Sequence, residues 1–99
     1  MSDKFYSGLG LATRARKLVT GEETVLKAIR SGEAKLVILA EDASEGTHKK
    51  FHDKCTFYNV PIIVYGTRES LGASIGKEAR VSIAIVDEGF VKMLRKSLL

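Results

Sequence analysis

The chain has 99 residues, of which 44% are hydrophobic, and a formal net charge of +4. This length suffices for one domain but not for two, and the ordinary apolar content predicts a packed core rather than disorder. The positive charge favours nucleic acid or another anionic partner, although solvated lysines produce the same excess.

The first predicted elements are a helix and a short strand. Residues 3–17 place three apolar side chains and one arginine on a single helical face: Phe5, Leu9, Ala12 and Arg16. Residues 17–19 then predict a short strand. A second helix is predicted to begin at Thr20 and to end at Gly32, because glycine provides a C-terminal stop.

The start of the second helix carries two recognisable features. Thr20 and Glu23 have the spacing of a capping box, in which each side chain bonds an otherwise unpaired amide. Gly21 allows the backbone to approach a partner closely or to take an unusual dihedral angle. A basic run that includes Arg14, Arg16 and Lys17 precedes them. These features together are typical of a binding site for a polar polymer.

The second helix has an inward and an outward face. The apolar stripe that is expected to pack inward consists of Val25, Leu26 and Ile29. The outward face consists of Glu23, Thr24, Lys27 and Arg30. In the simpler interpretation, Glu23 and Lys27 form an i,i+4 pair worth about 0.2–0.5 kcal/mol. In the functional interpretation, Glu22 and Glu23 accept hydrogen bonds from base N–H groups while Lys27 neutralises the RNA backbone.

The rest of the chain alternates between apolar runs and helical patterns. The runs that predict strands buried on both faces are 34–40, 60–65 and 81–86. Helices are predicted over 44–58, 68–75 and 88–98. The inward faces of the first and last of these helices are expected to contain Phe51, Cys55, Tyr58, Phe90, Val91, Leu94 and Leu98. This alternation predicts an α/β fold, a three-layer α-β-α sandwich with a four-stranded sheet that is mixed or largely parallel.

The residue types that support metal binding or catalysis occur without a productive arrangement. His48 and His52 have the spacing to share a metal, and Cys55 lies one turn further along the predicted helix. However, Cys55 falls on the apolar face, where a free cysteine behaves as a small hydrophobe. The chain has no nucleophile elbow, P-loop or dinucleotide-binding glycine pattern. We therefore expect no enzyme, no metal site and no cofactor.

The loop 76–80, between the fourth predicted helix and the last strand, is a second candidate for function. It is an ordinary connection in the simpler interpretation, since glycine and charged residues suit loops. Alternatively, it meets the start of the second helix at one end of the sandwich. Lys77 and Arg80 would then contact phosphates, while Ala79 or Val81 offers an apolar surface to an extruded base.

The sequence also predicts the cellular compartment of the chain. A single cysteine, Cys55, excludes an intramolecular disulfide and fits a reducing cytosol. Residues 1–5 contain no apolar run typical of a secretory signal, and no run approaches the roughly 20 apolar residues that span a bilayer. We expect one cytoplasmic domain over residues 1–99, monomeric and without a membrane partner.

Several segments, in order along nearly the whole chain, resemble a known family. They are Gly21 with 27–29, and then 32–42, 58–61, 71–72, Gly76 and 83–89. This pattern resembles the kink-turn-binding ribosomal protein family, which includes archaeal large-subunit protein L-seven-Ae and eukaryotic L-thirty-e. Within that family, segments 8–17, 53–55 and 75–80 are similar to the bacterial YlxQ type.

The resemblance implies a sandwich that recognises kink-turns, which are RNA duplexes bent sharply at a bulge beside tandem sheared G·A pairs. In the family, the start of the second helix contacts the G·A bases, a lysine on that helix supports the backbone, and the loop before the last strand covers the bulged nucleotides. Carried over by position, the RNA-binding residues are Gly21, Glu22, Glu23, Thr24, Lys27, Lys77, Glu78, Ala79 and Arg80. The chain departs from the family at two places. Better-studied members carry Asn or Lys and then Glu or Gln where this chain has Glu23 and Thr24, and its loop is more charged.

Two functions from different classes are consistent with the sequence. The first is an RNA-binding module for structured RNA of the kink-turn type, with rRNA as one candidate, associated with ribosomes or translation factors. The second is a protein-interaction module that kept the sandwich but lost specific RNA binding, as Glu22 and Glu23 suggest. The two differ in whether the protein prefers a kink-turn over an ordinary duplex.

Overall fold

Helices and strands alternate along residues 3–99, the part of the chain that the computed structural model describes. The helices in this part are α1 (Asp3–Arg14), α2 (Glu22–Ser31), α3 (Glu45–Tyr58), α4 (Arg68–Ser74) and α5 (Glu88–Ser97). The strands are β1 (Leu18–Thr20), β2 (Leu36–Leu39), β3 (Ile62–Val64) and β4 (Ser82–Ile85). Each predicted element is present, with ends that differ by a few residues. The predicted domain over 1–99 also includes residues 1 and 2, which lie outside the described residues.

The four strands form one mixed sheet in the order β1-β4-β2-β3. β4 is antiparallel to both β1 and β2, whereas β2 and β3 are parallel. Val37 in the middle of β2 is opposite Ala84 of β4 on one side and Ile62 of β3 on the other. The sheet is therefore mixed, which is one of the two alternatives that the sequence left open.

Helices cover both faces of the sheet. Because successive side chains of a strand point to opposite faces, Leu36 and Ile38 pack with α1, α4 and α5, whereas Val37 and Leu39 pack with α2 and α3. All four side chains are fully buried. The continuous apolar run of β2 thus forms a strand buried on both faces, and the predicted three-layer α-β-α sandwich is confirmed.

The third strand in the chain differs from its prediction. Residues 60–65 were expected to form a strand buried on both faces, but β3 lies at the edge of the sheet and Val64 is 42% exposed. Its only neighbour is β2, so one side of β3 has no strand beside it within residues 3–99. An apolar run therefore marked a strand here without indicating its position in the sheet.

The predicted capping box at the start of the second helix is also wrong. Thr20 is the last residue of β1, and its hydroxyl donates a hydrogen bond to the carbonyl oxygen of Ser82 over 2.8 Å. The N-cap of α2 is Gly21, with no side-chain cap bond. The strand pairing takes the threonine side chain away from the helix amides. The predicted stop at Gly32 is confirmed, since this residue is the left-handed C-cap of α2.

Some residues predicted to face the core are exposed. Arg16 follows the end of α1 in a left-handed conformation, with φ of 60°, so it does not continue the face of Phe5. Tyr58 and Leu98 are 37% and 39% exposed because each lies at the end of its helix, past the edge of the core. None of the helices described in residues 3–99 is long and apolar enough to cross a membrane.

Candidate functional site

The start of α2 and the loop before β4 lie at the same end of the sheet. Because β1 and β4 are antiparallel neighbours, the end of β1 lies beside the start of β4. Thr20 is opposite Ile83, and the hydrogen bond from Thr20 to Ser82 joins residues 62 positions apart in the sequence. The sheet thereby brings together the two segments that the sequence singled out.

A cleft of about 230 Å³ lies between these two segments. Its walls come from the start of α2, one turn of α3 and the chain that enters β4: Gly21, Glu22, Thr47, Phe51, Ala79, Arg80, Val81 and Ser82. Four of the nine residues carried over from the family pattern are among them. The other five, Glu23, Thr24, Lys27, Lys77 and Glu78, are exposed on the surface of α2 and of the loop. The contribution of α3 was not predicted, because Phe51 was assigned only to the core.

Gly21 gives the helix end its shape. It has φ of 100° and ψ of 142°, a conformation that residues with a Cβ rarely adopt, and its carbonyl accepts the N–H of Val25 over 2.9 Å. The prediction that Gly21 provides an unusual dihedral angle is confirmed. No side-chain cap bond is formed at this end of α2 within residues 3–99, so its first amides, beside the cleft, lack a capping group there. Open amides at a helix N-terminus carry partial positive charge.

Charge at the start of α2 is arranged differently from the prediction. Glu23, Thr24 and Lys27 are exposed, as expected, but no ion pair joins Glu23 to Lys27 among the residues that the structure describes. The carboxylate of Glu22 instead lies 3.0 Å from the ammonium of Lys50 on α3. The predicted pair is therefore replaced by a contact between two helices, and Lys27 has no ion-pair partner within residues 3–99.

Contacts with α4 hold the loop 76–80 in place. The N–H of Lys77 donates to the carbonyl of Gly72 over 2.9 Å, and the N–H of Arg80 donates to the carbonyl of Arg68 over 2.9 Å. Gly72 is buried against the loop, and a Cβ at this position would overlap the carbonyl oxygen of Glu78. The loop is thus fixed at its beginning and at its end, while the side chains of its middle residues remain exposed.

Arg80 brings a positive charge to the cleft. Its side chain is partly buried, and its Nε has no hydrogen-bond partner within residues 3–99. A guanidinium is always protonated and has five donors, and a buried donor without an acceptor is costly. Phosphate and base oxygens are acceptors that satisfy a guanidinium well. The site therefore offers a cation and open amides to an anionic or acceptor-rich ligand.

A second set of contacts joins the loop region to the end of β2. Asp42 Oδ1 accepts the backbone N–H of Arg68 over 2.9 Å, and Arg68 Nη2 donates to the carbonyl of Asp42 over 2.6 Å. The hydrogen bond from the Arg68 backbone is the main cause that lowers the pKa of Asp42 below its ordinary value of 3.8. Since the Arg68 carbonyl in turn accepts from Arg80, the cleft is connected through α4 to the loop after β2.

The histidines and the cysteine on α3 do not form a metal site in the described part of the chain. No group of three or more potential ligands is found among residues 3–99. His52 donates a ring N–H from Nδ1 to the carbonyl of His48 over 2.8 Å. Cys55 is buried, and burial raises its pKa to about 11. Its thiol therefore stays protonated at neutral pH, which is the opposite of a reactive cysteine.

Known proteins resemble this chain over most of its length. A family model described as the ribosomal protein L7Ae/L30e/S12e/Gadd45 family matches residues 3–95. The "RNA-binding protein YlxQ" of Bacillus subtilis (strain 168) is 57% identical over 86 residues, which are 87% of this chain and 86% of that protein. The "Large ribosomal subunit protein eL30" of Aeropyrum pernix is 35% identical over 79 residues, 78% of this chain and 79% of its own length. A solved structure of a protein with unknown function from Bacillus halodurans C has a TM-score of 0.91 and 49% identity, with 96% of each chain covered.

Proposed function

Since the chain belongs to the ribosomal protein L7Ae/L30e/S12e/Gadd45 family, we propose that it binds structured RNA through the start of α2 and the loop 76–80. The observation that carries this proposal is the cleft in which Gly21 and Glu22 meet Ala79 and Arg80. The names of the relatives, an RNA-binding protein and a large ribosomal subunit protein, support the same ligand class. Membership of this family also confirms the expectation that the chain is not an enzyme.

Each part of the surface suits a different part of an RNA. Lys27, Lys77 and Arg80 supply positive charge for phosphates, and the open backbone at Gly21 allows close approach. Glu23 carries an exposed carboxylate that accepts hydrogen bonds from base N–H groups. Such groups are accessible where bases are not in ordinary Watson–Crick pairs, so the surface favours irregular RNA over a regular duplex.

The RNA that fits this surface best is a kink-turn. Its sharp bend presents two phosphate backbones at once, and its tandem G·A pairs present base N–H groups to the start of α2. The bulged nucleotides would then lie against the loop, where Ala79 gives a small apolar surface beside Lys77. Thr24 follows Glu23 as the second residue that we assign to the G·A bases, and Glu78 lies in the loop that covers the bulge.

The proposal also covers where in the cell the protein acts. An RNA segment of this kind within rRNA would associate the protein with ribosomes or translation factors, and hence with the cytoplasm. The ribosomal relative named above supports this extension. A single copy of the chain is sufficient for the proposed surface, since all nine residues belong to one chain.

The alternative, a protein-interaction module, starts from the two carboxylates at the head of α2. Glu22 and Glu23 would repel an approaching phosphate if both were unpaired. However, the carboxylate of Glu22 is paired with Lys50, so only one unpaired carboxylate remains at this helix end in residues 3–99. The pairing weakens the argument for the alternative.

The experiment that tests the proposal is a titration with a fluorescently labelled kink-turn RNA in the absence of divalent ions. The control RNA is the same duplex with its G·A pairs replaced by Watson–Crick pairs. We expect tight binding and bending of the kink-turn RNA alone. Equal, weak binding to both RNAs would indicate nonspecific electrostatic attraction only. It would favour the alternative, a protein-interaction module.

A further inference from the structure

An ion pair joins α2 to α3 beside the cleft. The Nζ of Lys50 lies 3.0 Å from Oε2 of Glu22, although the two residues are 28 positions apart, and both side chains are 47% exposed. Ion pairs that are half exposed contribute little to folding stability, because water and salt screen them and ordering the side chains costs entropy. The main effect of this pair is therefore on the electrostatic potential of the cleft beside it.

Glu22 is the only carboxylate among the residues that line the cleft within the described chain. It lies at the end of α2 where open amides and Arg80 otherwise provide positive charge. An unpaired carboxylate here would repel the phosphate that this charge attracts. Two further charged residues of α2, Glu23 and Lys27, are exposed.

We infer that Lys50 is a positioning residue for RNA binding, which draws the carboxylate of Glu22 toward α3 and cancels its charge so that the cleft admits a phosphate. This inference rests on the proposed function, because it describes how the same cleft receives the RNA. It assigns a role to α3, which supplies Thr47 and Phe51 to the cleft wall and Lys50 to its electrostatics. In this role Lys50 acts through Glu22 and does not itself touch the RNA.

A direct contact between Lys50 and the RNA is the competing explanation, and the two explanations differ in a double mutant. If Lys50 acts through Glu22, then removing the carboxylate makes the lysine unnecessary. If Lys50 contacts a phosphate directly, then Lys50→Met removes that contact whether or not Glu22 keeps its carboxylate. The effects of the two substitutions then add.

The test measures the affinity for the kink-turn RNA of four variants: Lys50→Met, Lys49→Met, Glu22→Gln and the double variant Lys50→Met with Glu22→Gln. Lys49 is the matched control, because it is adjacent on α3 and is paired over 2.9 Å with the exposed Asp53 rather than with a cleft residue. At low salt we expect Lys50→Met to weaken binding about threefold to tenfold, as for an unscreened charge near a binding site. We expect Lys49→Met to change it by less than about twofold, in keeping with a charge outside the site.

The double variant decides the role of Lys50. We expect it to bind within about twofold of the Glu22→Gln variant, which is the non-additivity that a coupled pair shows. We expect Glu22→Gln alone to bind at least as tightly as the wild type, because the repelling charge is gone. A double variant that is weaker than Glu22→Gln by the same factor that separates Lys50→Met from the wild type would overturn the inference in favour of a direct contact. Equal effects of Lys49→Met and Lys50→Met would overturn it in favour of net charge alone.

The wild-type titration separates failure of this inference from failure of the proposed function. If the wild-type chain does not prefer the kink-turn RNA over its Watson–Crick control, the proposed function fails and the inference with it. If the wild-type chain shows the preference and Lys50→Met binds equally well, only the inference fails. Unfolding midpoints of all four variants are expected to match the wild type, since the substituted side chains are exposed.

Discussion

Arg80 and Lys27 represent two ways of presenting charge at the residue scale. The Nε of Arg80 is buried without a hydrogen-bond partner in the described chain, so an acceptor from a ligand would satisfy it in a fixed direction. Lys27 is exposed on the second turn of α2, and no hydrogen bond or ion pair within residues 3–99 holds its ammonium. We expect Arg80 to contribute orientation and Lys27 to contribute a movable charge.

The contribution of Lys27 can be measured with Lys27→Ala. We expect this change to weaken binding to the kink-turn RNA about tenfold to hundredfold, because a hydrogen bond to a charged group is worth about 1.5–3 kcal/mol. The fold should be unaffected, since the side chain is exposed. Lys92→Ala on α5, at the opposite face of the sheet, is the control with the same loss of charge. A folded Lys27→Ala protein with wild-type affinity would contradict the assigned surface.

Cys55 provides a prediction about reactivity and pH. Its thiol is buried and its pKa is raised to about 11, so the folded chain keeps the proton at pH values where an unfolded cysteine begins to lose it. The stability that comes from this group is complete at neutral pH and is lost as the pH rises toward the folded-state pKa.

Alkylation by iodoacetamide measures this difference. We expect the folded protein to react very slowly at pH 8 and faster as the pH rises toward the raised pKa, whereas the chain unfolded in urea reacts readily at pH 8. Equal rates for the folded and unfolded chain at pH 8 would show that Cys55 is not protected.

At the scale of elements, the packing of α4 against the loop 76–80 is the contact on which the cleft depends. Two backbone hydrogen bonds and the close approach at Gly72 position the loop, which then supplies Ala79 and Arg80 to the cleft. A side chain does not fit at Gly72, because the backbone of α4 contacts the backbone of the loop directly. A residue larger than glycine must therefore displace either the helix or the loop.

The substitution Gly72→Ala tests this dependence. The added Cβ would overlap the Glu78 carbonyl, and forced overlap in a packed region typically costs about 1–3 kcal/mol, so we expect a clear loss of stability in urea denaturation. Binding to the kink-turn RNA should weaken as well, because the loop has to move.

Gly46→Ala is the matched control for this substitution. Gly46 lies in the exposed first turn of α3, and a Cβ there meets no atom within 4 Å. Alanine is the better helix former, so this variant should equal or exceed the wild type by up to about 1 kcal/mol. If Gly72→Ala were as stable as Gly46→Ala, the close packing of α4 on the loop would be disproved.

At the scale of the whole molecule, the antiparallel pairing of β1 with β4 creates the site. It places the exit of β1 and the entry of β4 at one end of the sheet, so that α2 and the loop face one another across the cleft. The basic side chains assigned to phosphates, Lys27, Lys77 and Arg80, come from these two segments. Together with the net charge of +4, these side chains should attract RNA to this end.

Salt dependence measures how many phosphates this end contacts. Each phosphate neutralised contributes about −0.7 to −0.9 to the slope of log K against log salt, so three contacts predict a slope of about −2 to −3. Lys27→Ala should make the slope less steep by about one. The measurement is a series of titrations at increasing KCl, and a slope near zero would exclude binding through phosphate contacts.

The sequence by itself determined the alternation of elements, the layered fold class and the family. Apolar runs and helical periodicity are local properties, so they indicated β2 and the inward face of α2, with Val25, Leu26 and Ile29, before any contact was known. The spaced glycines and strand ends matched the family pattern for a related reason. They mark turns and close contacts that the fold requires at particular positions.

Only the tertiary structure decided how these elements meet. Thr20 has the residue type and spacing of a helix cap, but strand pairing directs its hydroxyl to Ser82. Glu22 reaches Lys50 on another helix, and an apolar run became the exposed edge strand β3. These outcomes depend on the order of strands and on contacts between distant positions, which no local period encodes. The cleft itself is such an outcome, because its walls come from three separate parts of the chain.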